Sequence, residues 1–236
     1  MKNTKMRTAA LVIVLFLAAG LAVWLFLSPA VERGEAQKQQ DALLASIEQG
    51  DGVIVVDSGA AVDMAPVDYY DAPDGGEDVI RLFWTPPEGA ETPTPAPQAA
   101  DTGAITGIGV LTIDAIDLEM PVVNGVSEAQ LKIAAGWVPQ TAPIGETGNA
   151  VIAGHRNYTH GSHFNRLGEL AVGDVIRYRS VGGEEMSFTV HEVLEVLPGD
   201  QSAFEQPDDM QMLTLYTCTP IRTATHRLLV RASRTA

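Results

Sequence analysis
Through the C-terminal half of this chain, hydrophobic and polar positions alternate with a period of two. The clearest stretch is Ser187-Phe-Thr-Val-His-Glu-Val-Leu-Glu-Val196, which reads as a strand buried on one side because successive side chains of a strand point to opposite faces. Shorter apolar runs bounded by turn residues occupy 109–113, 120–123, 150–153, 175–179, 212–218 and 226–232, and the run around Ser187 covers 186–196. Each predicts a strand. No long amphipathic helix separates them, so the fold class is mainly β, a closed antiparallel barrel. Gly182-Gly183 predicts a hairpin turn, since glycine tolerates the positive φ that such turns demand. Short helical turns are expected from Ser127, with Glu128 in the first turn, and over residues 164–170.

The N-terminal half reads differently. Lys2, Lys5 and Arg7 precede an uncharged, apolar run over residues 8–27, about the twenty residues that a helix needs to cross a bilayer core. Positive charge before the run, with Glu32 and Glu35 after it, predicts a single pass with a cytoplasmic N-terminus at 1–7 and the bulk of the chain outside the cell membrane. A retained anchor is favoured over a cleaved signal peptide, because the run exceeds a signal core and Trp24 suits the interface. Residues 28–104 read as an extracytoplasmic stalk. It has a short helix within 31–49 that carries Leu43, Leu44 and Ile47 on one side and ends at Gly50-Asp51-Gly52. An acidic stretch over 57–78 and a stiff, proline-rich spacer from Thr85 follow. Val79–Trp84, the one apolar and aromatic cluster in the stalk, reads as a strand or turn on the barrel surface, with a lid as the alternative.

Charge narrows the function classes. The net charge is −15, and half of the 30 acidic residues lie between Glu32 and Asp101, so the excess keeps the stalk solvated and extended. No basic face is available for phosphate, and a nucleic-acid partner is not expected. Residues 105–236 remain as one compact domain with a single core.

Cys218 is the one cysteine of the chain, so it makes no internal disulfide, and a free thiol outside the cell needs a reason to persist. A thiolate attacking a carbonyl needs a neighbour that stabilises negative sulfur and a donor for the leaving amine. The oxyanion that forms needs a fixed cation or dipole. His155, in Val-Ile-Ala-Gly-His-Arg, and Arg227, in His-Arg-Leu-Leu-Val-Arg, supply those groups at the ends of strand-like runs. A buried core thiol is the plain alternative. His160 and His163 stand near His155 in sequence, but no carboxylate or cysteine ligand is fixed by spacing, so neither a metal nor another cofactor is expected. His191 reads as structural and His226 as solvent-facing.

Thr214-Leu-Tyr-Thr-Cys218 with Arg227 downstream and Gly154-His-Arg156 upstream resembles the sortase family, and the resemblance runs from about Ile108 to Ala232. Its C-terminal motif is most like class C, although the Asp-Pro-aromatic lid tripeptide of that class does not occur here. The resemblance implies a barrel of about eight strands. It makes Cys218 the nucleophile, His155 the general acid and base, Arg227 the group that orients substrate and holds the oxyanion, and Thr217 a residue lining the peptide groove. It implies transpeptidation: an LPxTG-like sorting signal is cleaved after threonine to a thioester, which an amine then resolves. Partners would be surface proteins or pilins bearing that signal, with a peptidoglycan precursor or a pilin lysine as acceptor. The rival classes are a non-catalytic binding or scaffold module on the same barrel and a hydrolase without transfer.

Overall fold
The computed structural model describes residues 34–55, 104–156, 163–221 and 223–235. The expected membrane span at 8–27 and the cluster Val79–Trp84 lie outside the described residues. Among the described residues no helix is long and apolar enough to cross a membrane. The chain divides into two units, Met1–Lys38 and Gln39–Ala236. In the first, residues 34–38 are helical, with a Lys38–Glu35 ion pair at 2.8 Å.

The second unit is built on nine strands: β1 (Val53–Val55), β2 (Ala104–Ile113), β3 (Leu118–Asn124), β4 (Ala135–Trp137), β5 (Gly148–Ala153), β6 (Val175–Ser180), β7 (Glu185–Val196), β8 (Gln211–Thr219) and β9 (His226–Arg234). Hydrogen bonding runs β2-β3-β4-β5-β8-β9-β7-β6, and β6 returns to β2, so eight strands close a barrel. The all-antiparallel expectation needs correction. β3 pairs with β4 and β5 with β8 in parallel, because each pair is joined by a connection long enough to cross back over the barrel instead of by a hairpin. The β6–β7 hairpin turns at Gly182-Gly183 as its sequence predicts, with Gly183 at φ +83°.

β1 adds to the edge of β2, and residues 39–48, helical, bury Leu43 and Ile47 completely or nearly so. Gly107 makes that contact possible: a Cβ there would lie 2.7 Å from Ile47 Cδ1. Residues 39–55, which the composition placed in the stalk, therefore pack with the barrel. β4 carries no strand signal in Ala135-Gly-Trp137, whose first two residues disfavour strands. Its neighbours β3 and β5 hold it in place.

The barrel interior holds Leu111, Ile113, Ile152, Phe164, Phe188, Leu213, Leu215 and Val230 in one cluster. A second apolar cluster, with Val126, Leu131, Val151, Tyr216, Leu229 and Ala203, lies against the other face of β5, β8 and β9. This outer cluster is closed on one side by the single-turn helix Glu128–Leu131, capped by a reciprocal Ser127–Gln130 box, and on the other by the loop 197–210. The core of the domain is thus two-layered around one sheet.

Candidate active site
Topology brings the three expected groups together. β5 and β8 run parallel, with Ala153 opposite Tyr216, so the residues that follow β5 and the last residues of β8 emerge at the same end of the barrel. β9 runs antiparallel to β8 with Cys218 directly opposite Arg227. His155 leaves the end of β5, and the ladder continues one step beyond the strand, where the Gly154 N–H donates to the Tyr216 carbonyl at 3.1 Å.

Alternation decides which way each side chain points. Leu213 and Leu215 belong to the barrel interior and Tyr216 to the outer cluster, so Thr217 faces inward and Cys218 outward. Arg227 shares the outer face with Leu229 by the same argument. Cys218 is half-buried, whereas Thr217 is 2 % exposed and donates its hydroxyl to the Gly154 carbonyl at 2.7 Å. Thr217, expected to line the groove, is therefore a tie between β8 and the segment carrying His155.

Arg227 is anchored through Nη1, which donates to the carbonyls of Ala224 and His226 at 2.9 and 3.0 Å. Its buried Nε has no partner among the described residues. The guanidinium also hydrogen-bonds the Tyr216 hydroxyl, and a cation fixed in this way opposite the thiol is suited to stabilise a neighbouring negative charge.

The electrostatics favour a neutral resting pair. Burial, then the neighbouring His163, pull the His155 pKa down to about 4; Glu128 acts in the opposite direction and Lys132 adds to the lowering. Burial pushes the Cys218 thiol above its ordinary value, and the cations of Arg227 and then Arg156 partly offset it. Thiol and imidazole are thus both uncharged near neutrality.

Arg156, the last residue of the Gly-His-Arg motif, also reaches the site. Its Nε donates to the Asn165 carbonyl at 3.4 Å, and its guanidinium lies over Gly168, where a Cβ would come within 2.8 Å of Nη2. It acts on Cys218 and on Glu195, and Glu195 accepts the Thr219 hydroxyl at 3.1 Å. A second cation directly after the expected histidine was the signal available in sequence. His163, weighed there only as a metal ligand, sits beside His155 with ring centroids 6.3 Å apart. His160 lies outside the described residues, and among those described no group of three or more His, Cys, Asp or Glu is arranged for a metal ion.

The loop 197–210 walls the outer face. Buried Asn149 donates to the carbonyls of Ala203 and Glu205 at 2.9 and 3.2 Å and accepts from Thr214 at 2.8 Å. Phe204 packs on Tyr216 with centroids 6.0 Å apart. Beyond this plug a cavity of about 400 Å³ opens between Met210, Met212, Glu205, Ser202 and Arg231. Met212 is six residues before Cys218 on the same face, about 20 Å along the strand, so this cavity is separate from the thiol.

Comparison with known proteins places this arrangement. A family model described as the sortase domain matches residues 111–235. Sortase SrtE1 of Streptomyces coelicolor is 28 % identical over 144 residues, which is 52 % of this chain and 39 % of that protein. Sortase A of Bacillus anthracis is 30 % identical over 123 residues, 52 % and 57 % of the two chains. The matches thus span only about two fifths to three fifths of these curated relatives. Among solved structures, a lid mutant of sortase A from Corynebacterium diphtheriae superposes with a TM-score of 0.54 at 32 % identity, covering 59 % of this chain and 74 % of that one. Sortase C1 of Streptococcus agalactiae gives 0.53 at 29 %, covering 55 % and 68 %.

Proposed function
The chain belongs to the sortase family, and we propose that it is a membrane-anchored cysteine transpeptidase that cleaves an LPxTG-like sorting signal and transfers the signal-bearing protein to an amine. The observation that carries this reading is the pairing of Cys218 with Arg227 across β8 and β9, beside a histidine delivered by the parallel strand β5. The Cys218 thiolate attacks the threonine carbonyl, and Arg227 stabilises the oxyanion of the tetrahedral intermediate. Collapse breaks the peptide bond, and His155 gives its proton to the departing amine. A thioester remains. The acceptor amine then attacks it, passes a proton to His155, and releases Cys218 as thiolate.

The clients are surface proteins or pilins carrying the signal, and the acceptor is a peptidoglycan-precursor amine or a pilin lysine. Pilin lysine is favoured by the class C character of the Cys218 motif and of structural neighbours such as sortase C1. The apolar run at 8–27 anchors the protein in the cell membrane, with the barrel outside. The test is to incubate the protein with an LPxTG peptide and trap the acyl-enzyme by mass spectrometry. An adduct on Cys218 that is lost in Cys218→Ala, and resolved faster by added amine than by water, supports transfer. An adduct resolved at the same rate with and without amine would make the protein a hydrolase, and no adduct at all would leave the barrel as a binding module.

A further inference from the structure
His163 is in an uncomfortable place for an ordinary loop residue. It is 9 % exposed, and its backbone is left-handed at φ +51°, a conformation that costs a non-glycine residue on the order of 1 kcal/mol. The surrounding structure enforces it. The next residue, Phe164, donates its N–H to the His155 carbonyl at 3.0 Å, and its ring packs where a Cβ on Gly154 would lie 2.6 Å away. Residues 154–155 and 163–164 are thereby clasped, and the His163 ring is carried to the His155 ring at 6.3 Å with an interplanar angle of 57°.

The His163 Nε2 lies 3.2 Å from the Lys132 carbonyl. A carbonyl only accepts, so Nε2 donates to it, and the Leu131 carbonyl of the same turn also hydrogen-bonds the ring. Burial resists protonation of His163. Glu128 and Lys132 also act on His155, and they pair with each other at 3.1 Å on the neighbouring helical turn. The ring standing against His155 is therefore a neutral imidazole tied to the backbone of that turn.

We infer that His163 is a positioning residue for His155: its Nε2–H tie to the Lys132 carbonyl, together with the left-handed backbone, fixes the wall against which the catalytic imidazole is oriented. A general acid and base works only while its ring is held toward both nucleophile and leaving group, the task that a third residue performs in catalytic triads. A hydrophobic residue would fill the same space without the tie. This inference rests on the transpeptidase reading for its kinetic consequence, and not for its structural one.

The experiment compares His163→Ala, His163→Phe and His163→Gln in the full chain, with two readouts. The first is kcat and KM for an LPxTG peptide across pH; the second is the rate of Cys218 alkylation by iodoacetamide across pH, which needs no sorting chemistry. His163→Ala and His163→Phe are expected to lose about tenfold in kcat with KM little changed. The acidic limb of kcat/KM should move to higher pH in His163→Ala, because water then reaches His155 and eases its protonation. The alkylation profile should move to lower pH, because more imidazolium beside the thiol stabilises the thiolate. His163→Gln, which keeps a donor for the Lys132 carbonyl, should recover most of kcat, and it carries the test if the alanine variant fails to fold. A His163→Phe enzyme with normal kcat would reduce His163 to space filling and overturn the proposal. So would a kcat loss in His163→Ala that vanishes once scaled to the folded fraction. If the wild type does not cleave the peptide, the alkylation arm still decides: a profile altered by His155→Ala but untouched by His163→Ala overturns the inference.

Discussion
Thr217 and Cys218 are adjacent in β8, yet they belong to different regions of the molecule. The inward face of the strand, with Leu213, Leu215 and Thr217, closes the barrel and is nearly inaccessible. The outward face, with Tyr216 and Cys218, opposes Leu229 and Arg227 on β9 and is covered by a loop instead of by sheet. One strand therefore does two kinds of work by alternation alone. The inner face sets where strand ends lie, and the outer face carries the proposed site.

The largest expected effect breaks the outer face and leaves the inner one alone. Cys218→Ala should abolish the acyl-enzyme while changing unfolding free energy by less than about 1 kcal/mol, since it removes one half-buried sulfur. Acyl-enzyme mass spectrometry alongside chemical denaturation checks both halves. A variant that loses activity and fold together would mean that the two faces are not separable at this position.

Arg227→Lys is expected next, with a loss of about 100-fold in kcat. An ammonium restores the charge but not the planar fork, which holds the Ala224 and His226 carbonyls and the Tyr216 hydroxyl at once. Near-normal turnover in single-turnover kinetics would show that Arg227 braces the β8–β9 turn without touching the reaction.

Much of this was legible in the sequence because a one-sided strand must alternate. Residues 186–196 read as β7 by their alternation and 212–218 as β8 by their apolar run, and the site residues were expected at the ends of 150–153, 212–218 and 226–232. What stayed illegible depended on contacts between distant residues. Ala135–Trp137 becomes β4 only because β3 and β5 flank it. Parallel pairing of β5 with β8 leaves no trace in either strand's pattern, since both are buried on two faces. The inward direction of Thr217 follows from strand parity, but only once the position of Leu215 is known. His163 shows no local pattern that marks it as a neighbour of His155, because a left-handed backbone and a clasp at Phe164 bring it there.

Protonation gives a smaller effect that sharpens the same comparison. With His155 held at about 4 and Cys218 raised, both groups carry protons below about pH 4, and the thiolate is lost. Above the raised thiol value both are deprotonated, and the imidazolium is lost. kcat/KM should therefore form a broad bell whose two limbs belong to the coupled pair. Stability has a different dependence. The folded pKa of His155 lies below its ordinary 6.5, so the unfolded chain binds more protons between pH 6.5 and 4, and stability, full above 6.5, falls as pH drops through that window. Denaturation across pH should show this fall in Cys218→Ala and a weaker one in His155→Ala. Equal falls in both would mean that another buried group carries the proton linkage.

The smallest effect comes from the inner face and tests whether it reaches the outer one. Thr217→Val keeps shape and removes the hydroxyl, leaving the Gly154 carbonyl without its 2.7 Å donor. Losing a part-buried hydrogen bond of this kind costs about 0.5–1.5 kcal/mol, so urea denaturation should register that loss with an unchanged m-value. Gly154 immediately precedes His155, and its N–H still donates to the Tyr216 carbonyl, so the segment keeps one of its two ties to β8. His155 should loosen without leaving, and on the proposed mechanism kcat should fall by less than about tenfold while KM stays near its wild-type value. Thr217→Ser, which restores the donor, should recover stability and kcat together. A rise in KM in Thr217→Val would instead place that side chain against the peptide, as the family resemblance implies. It would also show that the division between the faces of β8 is less complete than the burial of Thr217 indicates.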